Sequence, residues 1–169
     1  MRLLAALLLS FSALSIGIMR ARELKNTVQC LRELITLLEL IKNEICTRRT
    51  PLGSILSQAG RMELGFVGAF VLCLTENLGA IGEKSFGELW TDCIGKTLGH
   101  LPQSVRSELA AVGGCIGRYD AELQAQSLDR CISVIKRELD IKTASLASGQ
   151  RLSISLALSA GLIVSIILI

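Results

Sequence analysis

The chain has 169 residues, of which 50% are hydrophobic and only 4% aromatic, and its net charge is +3. The apolar residues are mostly Leu, Ile, Ala and Val, and there are two prolines, a composition that favours helices over sheets. The small net charge, with acidic and basic residues interleaved, and the shortage of aromatic side chains argue against a nucleic-acid-binding protein.

The first predicted element is an apolar segment of seventeen uncharged residues, Leu3–Met19. A helix of this length is about 25 Å long, slightly short of a bilayer core of about 30 Å, and flanking arginines extend to the headgroups. The alternative is a cleaved signal peptide, with Ala13 and Ser15 before the cut. Because Arg20 and further basic residues follow at once, which is an awkward flank for export, we predict a retained membrane anchor.

The next part of the chain has the periodicity of several short helices. An amphipathic helix is predicted to continue from the anchor over Arg22 to about Thr47. Thr50 and Pro51 then begin a second helix, with Thr50 as its N-cap and Pro51 in its first turn. A central core helix is predicted over Met62–Leu78, and Ser85–Glu88 has the pattern of a capping box that opens the next helix.

Two further helices complete this part. The first follows Pro102 and is predicted to be interrupted near Gly113, Gly114 and Gly117, where the glycines of "VGGCIG" indicate close helix packing because they follow a helix and not a strand. Asp120 is in position to cap the last helix, which is predicted to run on into a second apolar segment, Leu152–Ile169. That segment has eighteen uncharged residues and is also predicted to cross the membrane.

The predicted architecture is therefore all-α: a membrane-anchored antiparallel helical bundle with one N-terminal and one C-terminal transmembrane helix. Its predicted parts are an N-terminal transmembrane helix (1–20), a bundle of five or six helices (21–150) and a C-terminal transmembrane helix (151–169). Basic residues flank both apolar segments on the side of the bundle, which predicts a two-pass protein with a cytoplasmic bundle. These residues are Arg20, Arg22 and Lys25 after the first segment and Lys136, Arg137, Lys142 and Arg151 before the second.

Both apolar segments carry small residues at four-residue spacing. Such stripes let helix backbones approach closely in lipid, where no hydrophobic force drives helices together. The predicted packing residues are Ala13, Gly17 and Ala21 in the first segment and Ser153, Ala157, Gly161 and Ser165 in the second.

No constellation in the sequence supports catalysis, so no enzyme, cofactor or small-molecule substrate is expected. The six cysteines are 16 to 27 residues apart without a CxxC pair, and His100 is the only histidine, which argues against a zinc or other metal site. Each cysteine lies in an apolar helical pattern, so buried, unpaired thiols are expected, with disulfides as the alternative. A nucleotide-binding phosphate loop is also missing from the sequence.

Five residues are candidate interaction residues: Glu44, Pro51, Leu52, Asp120 and Gln124. Asp120 and Gln124 lie one helical turn apart, and this pair is interpreted either as a docking patch or as a helix cap with a solvated neighbour. The same alternatives apply to Glu44, near the end of the first amphipathic helix.

Four segments, taken in order, resemble a known family. They are "NEICTRRTPLGSIL" with Glu44, Pro51 and Leu52, "ELW" ending at Trp90, "AVGGCIGRYDAELQ" with Asp120 and Gln124, and the tail "SLALSAGLIVSIILI". Over essentially the whole chain they resemble the stage III sporulation protein AB family of endospore-forming Firmicutes. One departure is Ala157, where the family pattern has glycine after Ser-Leu.

The resemblance implies a non-enzymatic platform or assembly subunit of the channel or secretion-like complex that links mother cell and forespore. It implies a helical domain similar to the cytoplasmic domains of the platform protein of type II secretion systems. On this basis the bundle is expected at the outer forespore membrane, facing the mother-cell cytoplasm, with the complex's ATPase and other membrane subunits as partners. A membrane-tethered adaptor that binds a cytoplasmic protein, without forming part of a conduit, is the alternative.

Overall fold

A computed structural model describes residues 2–48, 50–62, 64–80, 84–117 and 120–168 of the chain. For residues 2–18, 47, 80 and 149–168 it describes the course of the backbone alone. The described residues form helices and connecting turns with no β-strand among them, so the prediction of an all-helical protein is confirmed.

Six α-helices follow one another in the described part of the chain. They are α1 (Arg2–Asn43), α2 (Leu52–Ala59), α3 (Gly68–Asn77), α4 (Phe86–Thr97), α5 (Gln103–Cys115) and α6 (Ala121–Leu168). A π-helical turn, Glu44–Arg48, follows α1, and a 3₁₀ turn, Leu78–Ala80, follows α3. The unbroken course of α1 confirms that the first amphipathic helix continues from the N-terminal segment, and α6 likewise runs on into the C-terminal segment.

The chain divides into two compact units. One contains Met1–Val28 and Asp140–Ile169, and the other contains Gln29–Leu139. The boundaries predicted from the sequence, after residues 20 and 150, stay predictions.

Among the residues whose side chains are described, no helix combines the length and the hydropathy needed to cross a membrane. The predicted transmembrane segments, 1–20 and 151–169, lie outside these residues apart from Met19 and Arg20. So do the predicted packing residues Ala13, Gly17, Ser153, Ala157, Gly161 and Ser165.

The core of the unit Gln29–Leu139 is built from one apolar stripe on each helix. In α1, Leu31, Leu34, Leu38 and Ile41 are fully buried, and their spacing of three and four residues places them on one face. Helix α6 contributes a matching stripe of buried side chains: Leu128, Cys131, Ile132 and Ile135. Apolar residues at three- and four-residue spacing in the sequence predict one apolar face on each of these helices, and the burial of these side chains confirms both faces. Between the two helices, the Lys42 ammonium lies 2.6 Å from the Asp129 carboxylate.

Helices α4 and α5 pack closely around Trp90. The indole Nε1–H of Trp90 donates a hydrogen bond of 2.7 Å to the carbonyl of Leu109, and its ring meets the Phe70 ring edge-on at a centroid distance of 4.9 Å. Gly113 lies so close to Trp90 that a methyl group there would stand 2.5 Å from the indole Cγ. Close packing at "VGGCIG" is therefore confirmed. The predicted interruption lies at the end of this run of glycines: α5 continues through Gly113 and Gly114 to Cys115, and Gly117 beyond it has a positive φ.

The start of α3 differs from the prediction, and the start of α4 agrees with it. Helix α3 begins at Gly68 and not at Met62, because the chain turns first and the Glu33 carboxylate accepts hydrogen bonds from the N–H groups of Phe66 (2.8 Å) and Val67 (3.1 Å). This carboxylate on α1 takes the place of a local cap. The capping box of α4 is confirmed, since the Ser85 and Glu88 side chains each accept a hydrogen bond from the other's backbone N–H.

The expectation of six unpaired thiols is wrong for one pair. Cys73 on α3 and Cys93 on α4 form a disulfide, with Cα atoms 5.9 Å apart. The sequence pattern placed both residues on apolar helix faces, and the packing of α3 against α4 brings these faces together. The other cysteines, Cys30, Cys46, Cys115 and Cys131, are unpaired, and of these only Cys46 is exposed.

Candidate interaction cleft

A cleft of about 380 Å³ lies in the unit Gln29–Leu139, where the turn after α1, the start of α2 and the turn between α5 and α6 meet. Most of its lining is aliphatic, and two polar side chains, Thr50 and Gln124, reach it. The lining residues are Ile45, Thr50, Leu52, Ile55, Ile116, Gly117, Ala121 and Gln124. Segments more than sixty residues apart in the sequence therefore form one surface.

Glu44 holds the first wall of the cleft. Its side chain is buried, with 6% of the residue exposed. One carboxylate oxygen accepts a hydrogen bond from the Thr50 hydroxyl (2.7 Å) and the other accepts one from the Arg48 guanidinium (3.1 Å). The Glu44 carbonyl also accepts from the Thr50 N–H at 3.2 Å. These bonds turn the chain from the π-helical segment back toward α2.

The placement of Glu44 bears on two predictions. Both of its carboxylate oxygens are engaged inside the chain, so Glu44 shapes the cleft, and its interpretation as part of a docking patch stays a prediction. Thr50 donates to Glu44 and does not cap α2, so the predicted N-cap is displaced by one residue. Pro51 occupies that position, exposed and with extended backbone angles, and Leu52 follows as the first helical residue and a lining residue.

The second wall is the turn that joins α5 to α6. Ile116 ends α5 in an extended conformation, and Gly117 has a φ of +77°, which is favourable only for glycine and which ends the helix sharply. Asp120 begins α6, because its carboxylate accepts a hydrogen bond from the Leu123 N–H at 3.0 Å. The predicted cap is thus confirmed. One turn later Gln124 is 9% exposed and lines the cleft, so it is not a solvated neighbour.

The structure brings together four of the five predicted interaction residues: Glu44 and Asp120 hold the walls, and Leu52 and Gln124 line the cleft. Pro51 is exposed between Thr50 and Leu52. The sequence pattern did not single out Ile45, Thr50, Ile55, Ile116, Gly117 or Ala121 as site residues. All six lie inside two of the four segments that carried the family resemblance, but they gave no separate signal because aliphatic residues in a helical pattern are usually core.

The chemistry of the cleft is that of a binding surface. Its lining residues contain no histidine, cysteine or carboxylate, and the described residues hold no group of three or more potential metal ligands. The strongly shifted acid groups lie elsewhere in the core, where burial raises the pKa of Cys30 and of Cys131 to about 12. An aliphatic cleft with an amide and a hydroxyl at its edge is suited to an apolar side chain and to one or two hydrogen bonds from the partner's backbone.

Comparisons with known proteins place the chain in a family. Neither the curated proteins nor the solved structures contain a match to it. The family model of stage III sporulation protein AB, by contrast, matches residues 2–169, nearly the whole length. The chain therefore belongs to the stage III sporulation protein AB family.

Proposed function

We propose that this protein is a non-enzymatic platform subunit of the membrane complex that joins mother cell and forespore and is required for endospore formation. Membership of the stage III sporulation protein AB family supports a role in sporulation. The proposed role as a platform subunit is based on the cleft. Two segments that are distant in the sequence converge there, with their charged groups engaged in holding the walls and their aliphatic groups lining the space. A surface of this kind is suited to binding another protein subunit.

The cleft is proposed as an anchor point for a partner. In protein interfaces a few apolar side chains inserted into well-formed pockets contribute most of the binding energy. A volume of about 380 Å³ suits one or two such side chains, so the rest of the interface lies around the cleft. Thr50 and Gln124 at its edge supply polar atoms that select a partner's orientation.

Two membrane crossings are part of the proposal, and the sequence supports them. The segments Leu3–Met19 and Leu152–Ile169 contain seventeen and eighteen uncharged residues, and basic residues flank each on the side of the bundle. The protein is accordingly proposed as a two-pass protein of the outer forespore membrane, with its bundle in the mother-cell cytoplasm. The small-residue stripes of both segments are proposed to pack against transmembrane helices.

The proposed partners are the other membrane subunits of the stage III complex and its ATPase. Affinity purification of the tagged full-length protein from detergent-solubilised sporulating cells tests this directly. Recovery of the membrane subunits together with the ATPase is expected. Recovery of a single cytoplasmic protein without membrane subunits would support the membrane-tethered adaptor instead.

Chemical labelling of Cys46 can determine the membrane orientation, because this cysteine is unpaired and exposed in the bundle. In intact cells a membrane-impermeant maleimide should leave Cys46 unmodified, and after permeabilisation it should react. A Cys46→Ser variant provides the background. Labelling of Cys46 in intact cells would contradict the cytoplasmic placement without bearing on the interaction cleft.

A further inference from the structure

The disulfide between Cys73 and Cys93 is the one covalent link between helices among the six cysteines of the chain, all of which are described. Its Cα separation of 5.9 Å lies in the range that the two side chains bridge without backbone movement. We propose that this pair is a reversible redox lock on the contact between α3 and α4. The lock is open as a dithiol in reducing surroundings and closes as a disulfide in oxidising ones.

The two sulfur atoms differ in accessibility. Cys93 is 2% exposed, whereas Cys73 is half-buried and follows Leu72, which is 58% exposed. An incoming thiolate therefore reaches the Cys73 sulfur first. In thiol–disulfide exchange, the accessible sulfur is attacked and the partner sulfur leaves.

A dithiol reductant opens the disulfide in two exchange steps. One reductant thiolate bonds to the Cys73 sulfur, the Cys73–Cys93 bond breaks, and Cys93 leaves as a thiolate. The second reductant thiol displaces Cys73 and forms the reductant's own disulfide. Two electrons pass to the protein, and both cysteines end as protonated thiols. A low-molecular-weight disulfide reverses these steps and closes the lock.

A reversible lock requires that the protein stay folded both as the disulfide and as the dithiol. Noncovalent contacts beside the bond stabilise the packing of α3 against α4 in both states. Phe70 precedes Cys73 by three residues, Trp90 precedes Cys93 by three, and the two rings pack edge-on. The indole N–H is in turn bonded to the carbonyl of Leu109 on α5. These noncovalent contacts keep α3 against α4 after the bond opens.

Two of the four remaining thiols, those of Cys30 and Cys131, do not compete for the exchange. Cys30 and Cys131 are buried on α1 and α6, where burial keeps their thiols protonated by raising the pKa of each to about 12. Because the reactive species in exchange is the thiolate, these two cysteines are inert at neutral pH. If the bundle stands in the cytoplasm, as proposed above, the pair rests as a dithiol and closes under oxidative stress.

The test is a redox titration of the purified full-length protein in detergent. Samples equilibrated in buffers of different dithiol-to-disulfide ratio are acid-quenched, alkylated and digested with trypsin. Cleavage after Arg61, Lys84 and Lys96 places the two cysteines in separate peptides, 62–84 and 85–96, which stay linked only while the bond is present. The pair is expected to pass from largely linked to largely unlinked over roughly a 100-fold change in the ratio, with helix content unchanged.

Two results would overturn the proposal. In the first, the Cys73–Cys93 bond stays intact at every dithiol-to-disulfide ratio until the protein unfolds, which would make it a purely structural disulfide. In the second, the two cysteines stay unlinked even in oxidising buffer. The cellular counterpart uses a brief pulse of a thiol oxidant, after which linked peptides should increase several-fold in the wild type and in Cys46→Ser but not in Cys73→Ser. Should Cys73→Ser fail to fold, Cys93→Ala replaces it. No increase in the wild type also contradicts the lock.

Discussion

The packing of Trp90 against Gly113 gives the sharpest prediction about stability. A methyl carbon at Gly113 would lie against the indole Cδ1, 2.5 Å from Cγ and 2.8 Å from Cβ, whereas carbon atoms pack at about 3.5 to 4.0 Å. The indole has little room to retreat, because Phe70 contacts its ring and the Leu109 carbonyl accepts its N–H. Gly113→Ala must therefore strain the core or break this hydrogen bond.

The expected change in the free energy of unfolding combines two costs and one gain. Overpacking a core costs about 1 to 3 kcal/mol, and a buried N–H left without its acceptor costs about 1 to 3 kcal/mol more. Replacing glycine by alanine within a helix stabilises the folded state by roughly 0.5 to 1 kcal/mol, which offsets part of this cost. With both costs incurred, Gly113→Ala should lower the free energy of unfolding by about 1 to 5 kcal/mol.

The neighbouring glycine provides the matched control. A methyl group at Gly114 would meet no atom within 4 Å, so Gly114→Ala should raise the free energy of unfolding by roughly 0.5 to 1 kcal/mol. Urea unfolding of the full-length protein in detergent, followed by the fluorescence of Trp90 and by circular dichroism, measures both variants. A Gly113→Ala protein as stable as the wild type would refute the packing described for α4 and α5.

Three further predictions concern a cap, a buried carboxylate and the thiols. Ser85→Ala removes one half of the capping box and should cost about 1 kcal/mol in urea unfolding, with Ser85→Asp close to wild type. Glu44→Ala leaves the Thr50 hydroxyl without its acceptor and should cost about 1 to 3 kcal/mol, so a wild-type midpoint would contradict its wall-holding role. At pH 8, mass spectrometry should find Cys46 alkylated quickly while buried Cys30 and Cys131 stay unmodified. Since burial raises the pKa of both buried thiols from 9.0 to about 12, the native state retains their protons, and stability should fall as the pH rises from about 9 toward 12.

The elements that depend on local pattern could be predicted from the sequence. The buried stripes of α1 and α6 follow from three- and four-residue spacing, and the start of α4 follows from Ser85 and Glu88, which cap each other within one turn. Asp120 was identified as a cap for the same reason. Each of these features is decided by residues within a few positions of one another.

The features that the sequence did not predict depend on contacts between distant residues. Helix α3 starts late because a carboxylate thirty-three residues earlier, on Glu33, binds the N–H groups that precede it. The Cys73–Cys93 bond depends on the angle at which α3 meets α4, and a cysteine on an apolar face gives no sign of its partner. For the same reason, the sequence identified Leu52 and Gln124 in the lining of the cleft but not the other lining residues.

The central claim, that the cleft binds another subunit of the stage III complex, is tested most directly by a pair of substitutions in the first turn of α6. Ala121 lines the cleft, whereas Leu123 is exposed and lies outside the lining. A glutamate at either position is compatible with the helix, because negative charge is favourable near a helix N-terminus. Both variants should therefore fold, which circular dichroism and Trp90 fluorescence verify.

The decisive measurement is the amount of stage III membrane subunits and ATPase that co-purifies with each variant from sporulating cells. Ala121→Glu places a charge in the apolar anchor point and should reduce recovery by at least about tenfold, with a parallel loss of heat-resistant spores. Leu123→Glu should match the wild type in both. Wild-type recovery with a folded Ala121→Glu protein would contradict the claim that this cleft is where the complex binds.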